Sequence, residues 1–296
     1  MLFPSAVFSL VVAVHSYRDI QWHSDFEVCG VSNFVNYRQP RGNSTSPRIV
    51  NGKPSRSGSW PWQVSLQVLH PKYGLISHWC GGVLIDPHWV LTAAHCIDKY
   101  VRTDIFNLPL PALWTAVLGD WDREVEEKTE LRIQVEEILI HNAFKNYDND
   151  IALMRLSKRV SMEKGVRSVC LGSRLDVEQL CTATGWGRAT QAGPLSSTLR
   201  QIKVPLHSNK LCQEKYGPAV NIQEGHLCAG KLDGSTGACI GDSGGPLQCS
   251  KNGKWFLVGI TSFGSGCAKP GFPDVYTRLS FYLPWIQEQI TSNTVH

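Results

Sequence analysis

The sequence predicts an all-β fold of antiparallel strands, arranged as a sandwich or a barrel. From Ile49 onward, short apolar runs alternate with turn residues, and no strand–helix–strand spacing is present. The last element differs, because Phe281–Ile290 fits a short C-terminal helix with Pro284 in its first turn. The runs that predict strands are Gln63–Leu69, Val83–Ile85, Val90–Ala93, Thr115–Leu118, Ile133–Ile140, Ile151–Leu156, Leu199–Val204, Trp255–Ser262 and Asp274–Leu279.

Two segments precede this region. Residues 2–14 form an apolar stretch too short to cross a bilayer, and small residues at 14 and 16 fit cleavage after Ser16. We therefore expect a signal peptide at residues 1–16, although the stretch lacks the usual Lys or Arg; a buried strand is the alternative. Residues 17–48 are polar and irregular, as in a linker or pro-segment. Residues 49–296 then form the remaining domain.

Composition favours a secreted globular protein. Of 296 residues, 42% are hydrophobic and 18% charged, which is enough apolar material for a core. The net charge of +4 comes without a Lys/Arg run, so neither a nucleic acid nor a membrane is an expected partner. Ten cysteines without a Cys-x-x-Cys pair predict disulfides rather than a zinc site. Asn43 opens the single Asn-x-Ser/Thr glycosylation sequon of the sequence.

The most informative stretch is 241–246, Gly-Asp-Ser-Gly-Gly-Pro. Its glycines clear space around the Ser243 hydroxyl and let consecutive N–H groups converge, as acyl transfer requires. A plain turn is the alternative for such a stretch alone. Two further patterns can complete a catalytic set: His95 lies among small residues beside Cys96, and Asp150 begins an apolar run. Together, in the order His, Asp, Ser, the three patterns favour an active site.

These motifs resemble those of the trypsin/chymotrypsin family of serine endopeptidases. The resemblance covers Ile49 to about Ile290 and implies two antiparallel six-stranded β-barrels, split near residues 160–170, with the active site between them. It rests on matches in Ile49–Gly52, Trp60–Leu66, Cys80–Gly82, Leu91–Cys96, Asn149–Leu153, Gly185–Gly187 and Gly241–Pro246.

The resemblance implies a role for each catalytic residue. Ser243 is the nucleophile, His95 the general base and acid, and Asp150 the residue that orients His95. The N–H groups of Gly241 and Ser243 form the oxyanion hole. No cofactor is required for catalysis. The implied disulfides are Cys29–Cys170, Cys80–Cys96, Cys181–Cys249, Cys212–Cys228 and Cys239–Cys267.

The resemblance also implies a zymogen. Cleavage after Arg48 by a trypsin-like protease frees an amine on Ile49, which pairs with Asp242 and shapes the oxyanion hole. Before cleavage, Ser65 and His78 occupy the positions that hold this aspartate in an inactive pose in some zymogens of the family. The expected partners are therefore protein or peptide substrates, an activating protease and protein inhibitors.

The substrate pocket departs from the trypsin pattern. Gly237 stands where trypsin-like members have an aspartate, Ala238 follows it, and Asp274 supplies a carboxylate from the opposite wall. We expect a broad preference at P1, the residue before the scissile bond, that includes Lys and Arg. An elastase-like or chymotrypsin-like preference is the alternative. The substrate-binding strand is Ser262-Phe263-Gly264, with Phe263 replacing the usual tryptophan.

An acidic run from Asp120 to Glu130 matches the calcium loop of the family. Asp120, Glu127 and Glu130 are the expected carboxylate ligands of a structural calcium ion, and a solvated acidic loop is the alternative. Two further functions stay open: a catalytically silent binding protein of this family, and a secreted inhibitor or adhesive module.

Overall fold

A computed structural model describes residues 29–32, 52–98, 108–163, 165–172 and 179–293. The predicted signal peptide, most of the pro-segment, the Arg48–Ile49 cleavage point and the Asn43 sequon lie outside the described residues. Within the described part of the chain, no helix is both long and apolar enough to span a bilayer.

The first barrel is a closed sheet of six antiparallel strands. A two-residue strand, β1 (Lys53–Pro54), precedes it. The barrel strands are β2 (Gln63–His70), β3 (Gly74–Asp86), β4 (Trp89–Thr92), β5 (Trp114–Leu118), β6 (Leu131–Ile140) and β7 (Ala152–Leu156). They close in the order β2-β3-β4-β7-β6-β5 because β5 pairs back onto β2, with Val64 opposite Leu118.

The second barrel repeats this plan after the chain crosses over residues 157–169. Its elements are β8 (Cys170–Leu171), β9 (Leu180–Gly185), β10 (Arg200–His207), β11 (His226–Ala229), β12 (Pro246–Lys251), β13 (Lys254–Phe263) and β14 (Asp274–Arg278). The path β10-β11-β14-β13-β12-β9 closes because β9 pairs with β10. Strand β1 adds to β10, and β8 adds to β13. The predicted chymotrypsin-like all-β fold is confirmed.

Three α-helices and two 3-10 helices, Pro111–Leu113 and Gly217–Ala219, complete the described chain. The α-helices are α1 (His95–Asp98), α2 (Asn209–Tyr216) and α3 (Leu279–Asn293). The Ser208 hydroxyl caps α2 by accepting a hydrogen bond from the N–H of Leu211. The predicted C-terminal helix is present, but it begins at Leu279. Placing Pro284 in the first turn was therefore wrong; it lies inside the helix, which starts earlier because β14 runs directly into the buried Leu279.

All ten cysteines are paired in the structure. The five pairs are those that the resemblance implies: Cys29–Cys170, Cys80–Cys96, Cys181–Cys249, Cys212–Cys228 and Cys239–Cys267. Cys80–Cys96 joins β3 to the helix that carries His95 and closes a loop with a sequence separation of 16. A loop of that length contributes about 3 kcal/mol in the chain-entropy description.

A buried polar chain joins the two barrels. The indole N–H of Trp62 donates to Gln248 Oε1 at 2.8 Å, and the Gln248 amide donates to Thr184 Oγ1 at 3.2 Å. The Thr184 hydroxyl in turn donates to Gln63 Oε1 at 2.6 Å. Trp62 and Gln63 lie at the start of the first barrel, and the other two residues belong to the second. A buried polar group that loses its hydrogen-bond partner is costly. This series of hydrogen bonds therefore fixes the two barrels relative to one another.

Candidate active site

His95 and Asp150 form a buried pair at the edge of the first barrel. His95 begins α1, three residues after the end of β4 at Thr92, and Asp150 lies just before β7, the strand that pairs with β4. The Asp150 carboxylate accepts two hydrogen bonds from His95, one from its backbone N–H at 2.8 Å and one from Nδ1 at 2.7 Å. A carboxylate that accepts at Nδ1 leaves Nε2 as the ring nitrogen that can act as a base.

The second barrel reaches across to hold Asp150. The Ser262 hydroxyl, on β13, donates to Asp150 Oδ2, and the Thr277 hydroxyl, on β14, donates to the main-chain carbonyl of Asp150 at 2.7 Å. Ser262 entered the sequence analysis as a substrate-binding residue, and the structure adds this contact. The pair of His95 and Asp150 is therefore positioned by both barrels.

Ser243 lies half-buried on the loop before β12, packed against the first barrel. Its carbonyl accepts a hydrogen bond from Gly81 N–H at 2.8 Å. The next residue, Gly244, has φ +75°, and a Cβ there would overlap the hydroxyl of Thr92 and the carbonyl of Gly81. Only glycine allows this approach. Thr92 is the last residue of β4 and lies three residues before His95, so the structure brings the loop of the predicted nucleophile beside the end of the strand that precedes the predicted base.

Two amides of the 241–245 loop point away from protein acceptors. The N–H groups of Asp242, Gly244 and Gly245 donate to the carbonyls of Cys239, Thr261 and Asp242. The N–H groups of Gly241 and Ser243 bond to no acceptor in the described part of the chain. These are the two amides predicted to form the oxyanion hole, and their freedom suits them to bind an external oxygen.

His78 holds the carbonyl of Gly241. Its Nε2 lies 2.9 Å from that carbonyl, which can only accept, so Nε2 donates and Nδ1 accepts from the Ser65 hydroxyl at 2.7 Å. Burial lowers the pKa of His78 to about 4, which agrees with a neutral ring. The expectation that His78 and Ser65 hold Asp242 is not met, because both are engaged with each other and with the Gly241 carbonyl.

Asp242 is buried and bonded to two backbone amides. One oxygen accepts from Gly187 N–H at 2.8 Å and the other from Cys239 N–H at 2.9 Å. Burial raises the pKa of Asp242 to about 6, although the two amides favour its ionised form. The proposed partner, the amine of Ile49, lies outside the described residues. The carboxylate is thus placed where a cation would stabilise it.

The pocket residues predicted from the sequence come together. The carboxylate of Asp274 accepts from Ala238 N–H at 2.7 Å, and a Cβ added to Gly237 would stand 3.1 Å from the same oxygen. A Cβ added to Gly264 would stand 3.0 Å from the other oxygen. The two glycines therefore make room for this carboxylate between the walls of the pocket.

Tyr147 belongs to the candidate site but was not predicted from the sequence. Its ring lies 5.4 Å from the His95 ring and 5.3 Å from the Phe263 ring, both between centroids. Tyr147 has φ +70° and its neighbours Asn146 and Asn149 have φ +50° and +54°, an unusual run just before Asp150. The signal in the sequence was the turn-forming stretch 146–149, which puts an aromatic residue three positions before the predicted catalytic aspartate.

The acidic loop gathers its three predicted ligands. Single carboxylate oxygens of Asp120, Glu127 and Glu130 all lie within 4.8 Å of one another. Asp120 Oδ1 is buried and has no hydrogen-bond partner among the described residues. Burial, with repulsion from Glu130 and Glu127, raises the pKa of Asp120 to about 6. An orphaned carboxylate oxygen among hard oxygen donors fits a calcium ion.

The comparison with known families agrees with the fold and with this arrangement. The sequence model of the family described as Trypsin matches residues 49–286, which include both barrels and every described residue of the site. A domain of this family with its disulfides indicates a serine protease that acts on protein substrates. The chain belongs to the trypsin family.

Proposed function

We propose that this protein is a serine endopeptidase that hydrolyses peptide bonds with Ser243, His95 and Asp150. Ser243 attacks the scissile carbonyl, His95 Nε2 takes its proton, and the proton later goes to the leaving amine. Asp150 keeps the ring in the useful tautomer. The observation that carries the proposal is the double hydrogen bond from His95 to Asp150 beside the packed 241–245 loop.

The developing oxyanion would bind to the N–H groups of Gly241 and Ser243. These amides have no acceptor among the described residues, while the neighbouring amides of the loop are all engaged. A preformed donor of this kind lowers the barrier by roughly 3–4 kcal/mol. His78 supports the loop from behind through the carbonyl of Gly241.

We propose that the enzyme is exported and made as a zymogen. The signal peptide at 1–16 would be removed, and a trypsin-like protease would cut after Arg48. The new amine of Ile49 would pair with Asp242, whose buried carboxylate has no cation among the groups that set its pKa. Cys29–Cys170 would keep the pro-segment attached after the cut. Asn43 would carry a glycan in that segment.

We propose a broad P1 preference that includes Lys and Arg. Gly237 and Gly264 place no side chain in the pocket, and the Asp274 carboxylate beside them offers a partner for a cation. A carboxylate that fills the pocket supports the alternative, a preference for medium apolar side chains. We also propose that Asp120, Glu127 and Glu130 hold a structural calcium ion, which would stabilise the loop without entering the reaction.

Labelling with a serine-reactive phosphonate tests the proposed function. Protein cleaved after Arg48 should incorporate the label at Ser243 and hydrolyse peptide substrates, and Ser243→Ala should lose both activities. Ser250→Ala, an exposed serine on β12, is the matched control and should keep both. Persistent labelling of Ser243→Ala would sink the assignment of the nucleophile. Cleaved wild-type protein that neither labels nor turns over peptides would instead indicate a silent binding protein.

A further inference from the structure

The Asp274 carboxylate lies across the pocket rather than beneath it. One oxygen is bonded to Ala238 N–H at 2.7 Å on one wall, and the other lies 3.0 Å from the Cβ position of Gly264 on the opposite wall. Asp274 itself is only 5% exposed. Any side chain that passes Gly264 therefore meets this carboxylate, so its chemical state bears directly on what the pocket accepts.

Among the residues that the structure describes, no cation acts on Asp274 to fix its charge. The ionisable groups acting on or facing it are the Asp242 carboxylate and the phenols of Tyr216 and Tyr276. The Tyr216 hydroxyl donates to the carbonyl of Pro273. Burial and the Asp242 charge raise the pKa of Asp274 to about 7, while the Ala238 amide opposes the rise.

Resting on the endopeptidase function proposed above, we propose that Asp274 selects the P1 side chain through its own protonation. The ionised carboxylate attracts Lys or Arg, whereas the protonated acid accepts an uncharged side chain of similar size. One enzyme then has two P1 preferences, and the proton concentration sets their proportion.

Asp242 ties this selection to the activation switch. Its carboxylate is bonded to Cys239 N–H, the amide directly after the Ala238 amide that holds Asp274. The two carboxylates thus share one short stretch of backbone, and the charge of Asp242 disfavours ionisation of Asp274. A cation paired with Asp242 removes that repulsion, so activation lowers the pKa of Asp274 and favours basic P1 residues at neutral pH.

The test compares two peptide substrates that differ only at P1, with lysine in one and norleucine in the other. The protein is full-length, cleaved after Arg48, and kcat/KM is measured for both from pH 5.5 to 8.5. The ratio of the two values cancels every titration that affects both substrates equally, including that of the catalytic base. We expect the lysine-to-norleucine ratio to rise at least tenfold across this range, with a midpoint at or below about pH 7.

Asp274→Asn keeps the shape of the side chain but not its charge. Its ratio should be lower and independent of pH, while Asp233→Asn, an aspartate on the preceding loop, should behave as the wild type. A flat ratio in the wild-type protein overturns the proposal, and that measurement stands even where Asp274→Asn does not fold. A protein that is labelled at Ser243 yet shows a flat ratio fails this inference alone. One that is neither labelled nor active fails the proposed function.

Discussion

The barrel interface and the pocket wall each bury one aspartate, but they treat it differently. Asp150 is 1% exposed and its carboxylate has three donors: the backbone and ring of His95 and the hydroxyl of Ser262. Asp274 is 5% exposed, and its carboxylate has one donor among the described residues, the Ala238 amide. The two aspartates are almost equally buried, so they differ mainly in the number of hydrogen-bond donors to the carboxylate. Three donors fix an orientation, whereas one leaves an oxygen for a ligand and a proton.

Asp242 lies between these extremes and extends the comparison. It has two amide donors, and its pKa of about 6 is lower than the value of about 7 for Asp274. The order has two causes: Asp242 has one more N–H donor, which favours its ionised form, and the charge of Asp242 raises the pKa of Asp274.

Removing the carboxylate of Asp150, which has the most hydrogen-bond donors of the three, should have the largest effect on kcat. Asp150→Asn presents an amide in place of an oxygen to His95 Nδ1 and favours the wrong tautomer, so kcat should fall about 10⁴-fold, the effect known for this change in related proteases. Steady-state kinetics with near-UV circular dichroism as a folding check measures this. Asp148→Asn, a half-exposed neighbour, is the control. A loss below tenfold would contradict the orienting role.

Asp242→Ala should cause the second-largest fall in kcat. It leaves the amides of Gly187 and Cys239 buried without acceptors, and the loop that carries the Gly241 amide loses its anchor. Loss of one oxyanion donor lowers kcat by about 10²- to 10³-fold. Kinetics of the cleaved variant should show this in kcat rather than KM. Unchanged turnover would mean that Asp242 does not shape the loop.

Ser262→Ala should have a smaller effect, because Asp150 keeps its two bonds to His95. A hydrogen bond to a charged group contributes about 1.5–3 kcal/mol, and with two donors remaining we expect about a tenfold fall in kcat. Thr277→Val removes a bond to the Asp150 main chain instead, and should lower the melting temperature with less effect on kcat. Equal kcat losses in the two variants would refute the distinction.

Calcium removal should affect stability more than catalysis. At a calcium concentration of 100 Kd, binding contributes about 2.7 kcal/mol, so a chelator should lower the melting temperature by about 5 °C. Glu127→Gln should abolish that response, while Glu126→Gln, outside the ligand cluster, should keep it. A melting temperature indifferent to EDTA would count against the site.

The stability that the proposed calcium site contributes should change with pH in a defined direction. The pKa of Asp120 is about 6 in the folded protein, above its usual value of 3.8. Without metal, the protonated side chain is therefore the favoured folded form, and the associated stability is lost as the pH rises through about 6. Calcium needs the ionised form, so its stabilising effect should weaken as the pH falls through about 6. Differential scanning calorimetry with and without calcium at pH 5 and pH 7.5 checks this.

The sequence predicted most of the fold where strands are apolar runs, as in Ile133–Ile140. It missed the two-residue strands β1 and β8, and it also missed β9, β11 and β12, whose inward residues include Cys181, Ala183, Ala229 and Cys249 and do not form an apolar pattern. These strands owe their conformation to pairing partners distant in the chain. Such partners leave no local signal.

The candidate site likewise contains residues that local motifs predict and contacts that depend on distant parts of the chain. His95, Asp150 and Ser243 belong to local motifs, so the sequence could predict them as the catalytic set, and the structure brings their surroundings together. The contacts of Tyr147 with His95 and of His78 with Gly241 join residues 52 or more positions apart. No local pattern encodes such contacts: the first forms when the first barrel closes, and the second when the two barrels meet.

The hydrogen bond from Gly81 to the carbonyl of Ser243 has a consequence for inactivation. It joins the loop that bears the proposed nucleophile to a strand of the other barrel, so the barrels cannot separate while the serine stays in place. Activity should therefore disappear at the first separation of the barrels, before either has melted. The enzyme would report on its own domain association, and residual activity at high temperature would measure the fraction of molecules in which the barrels remain joined.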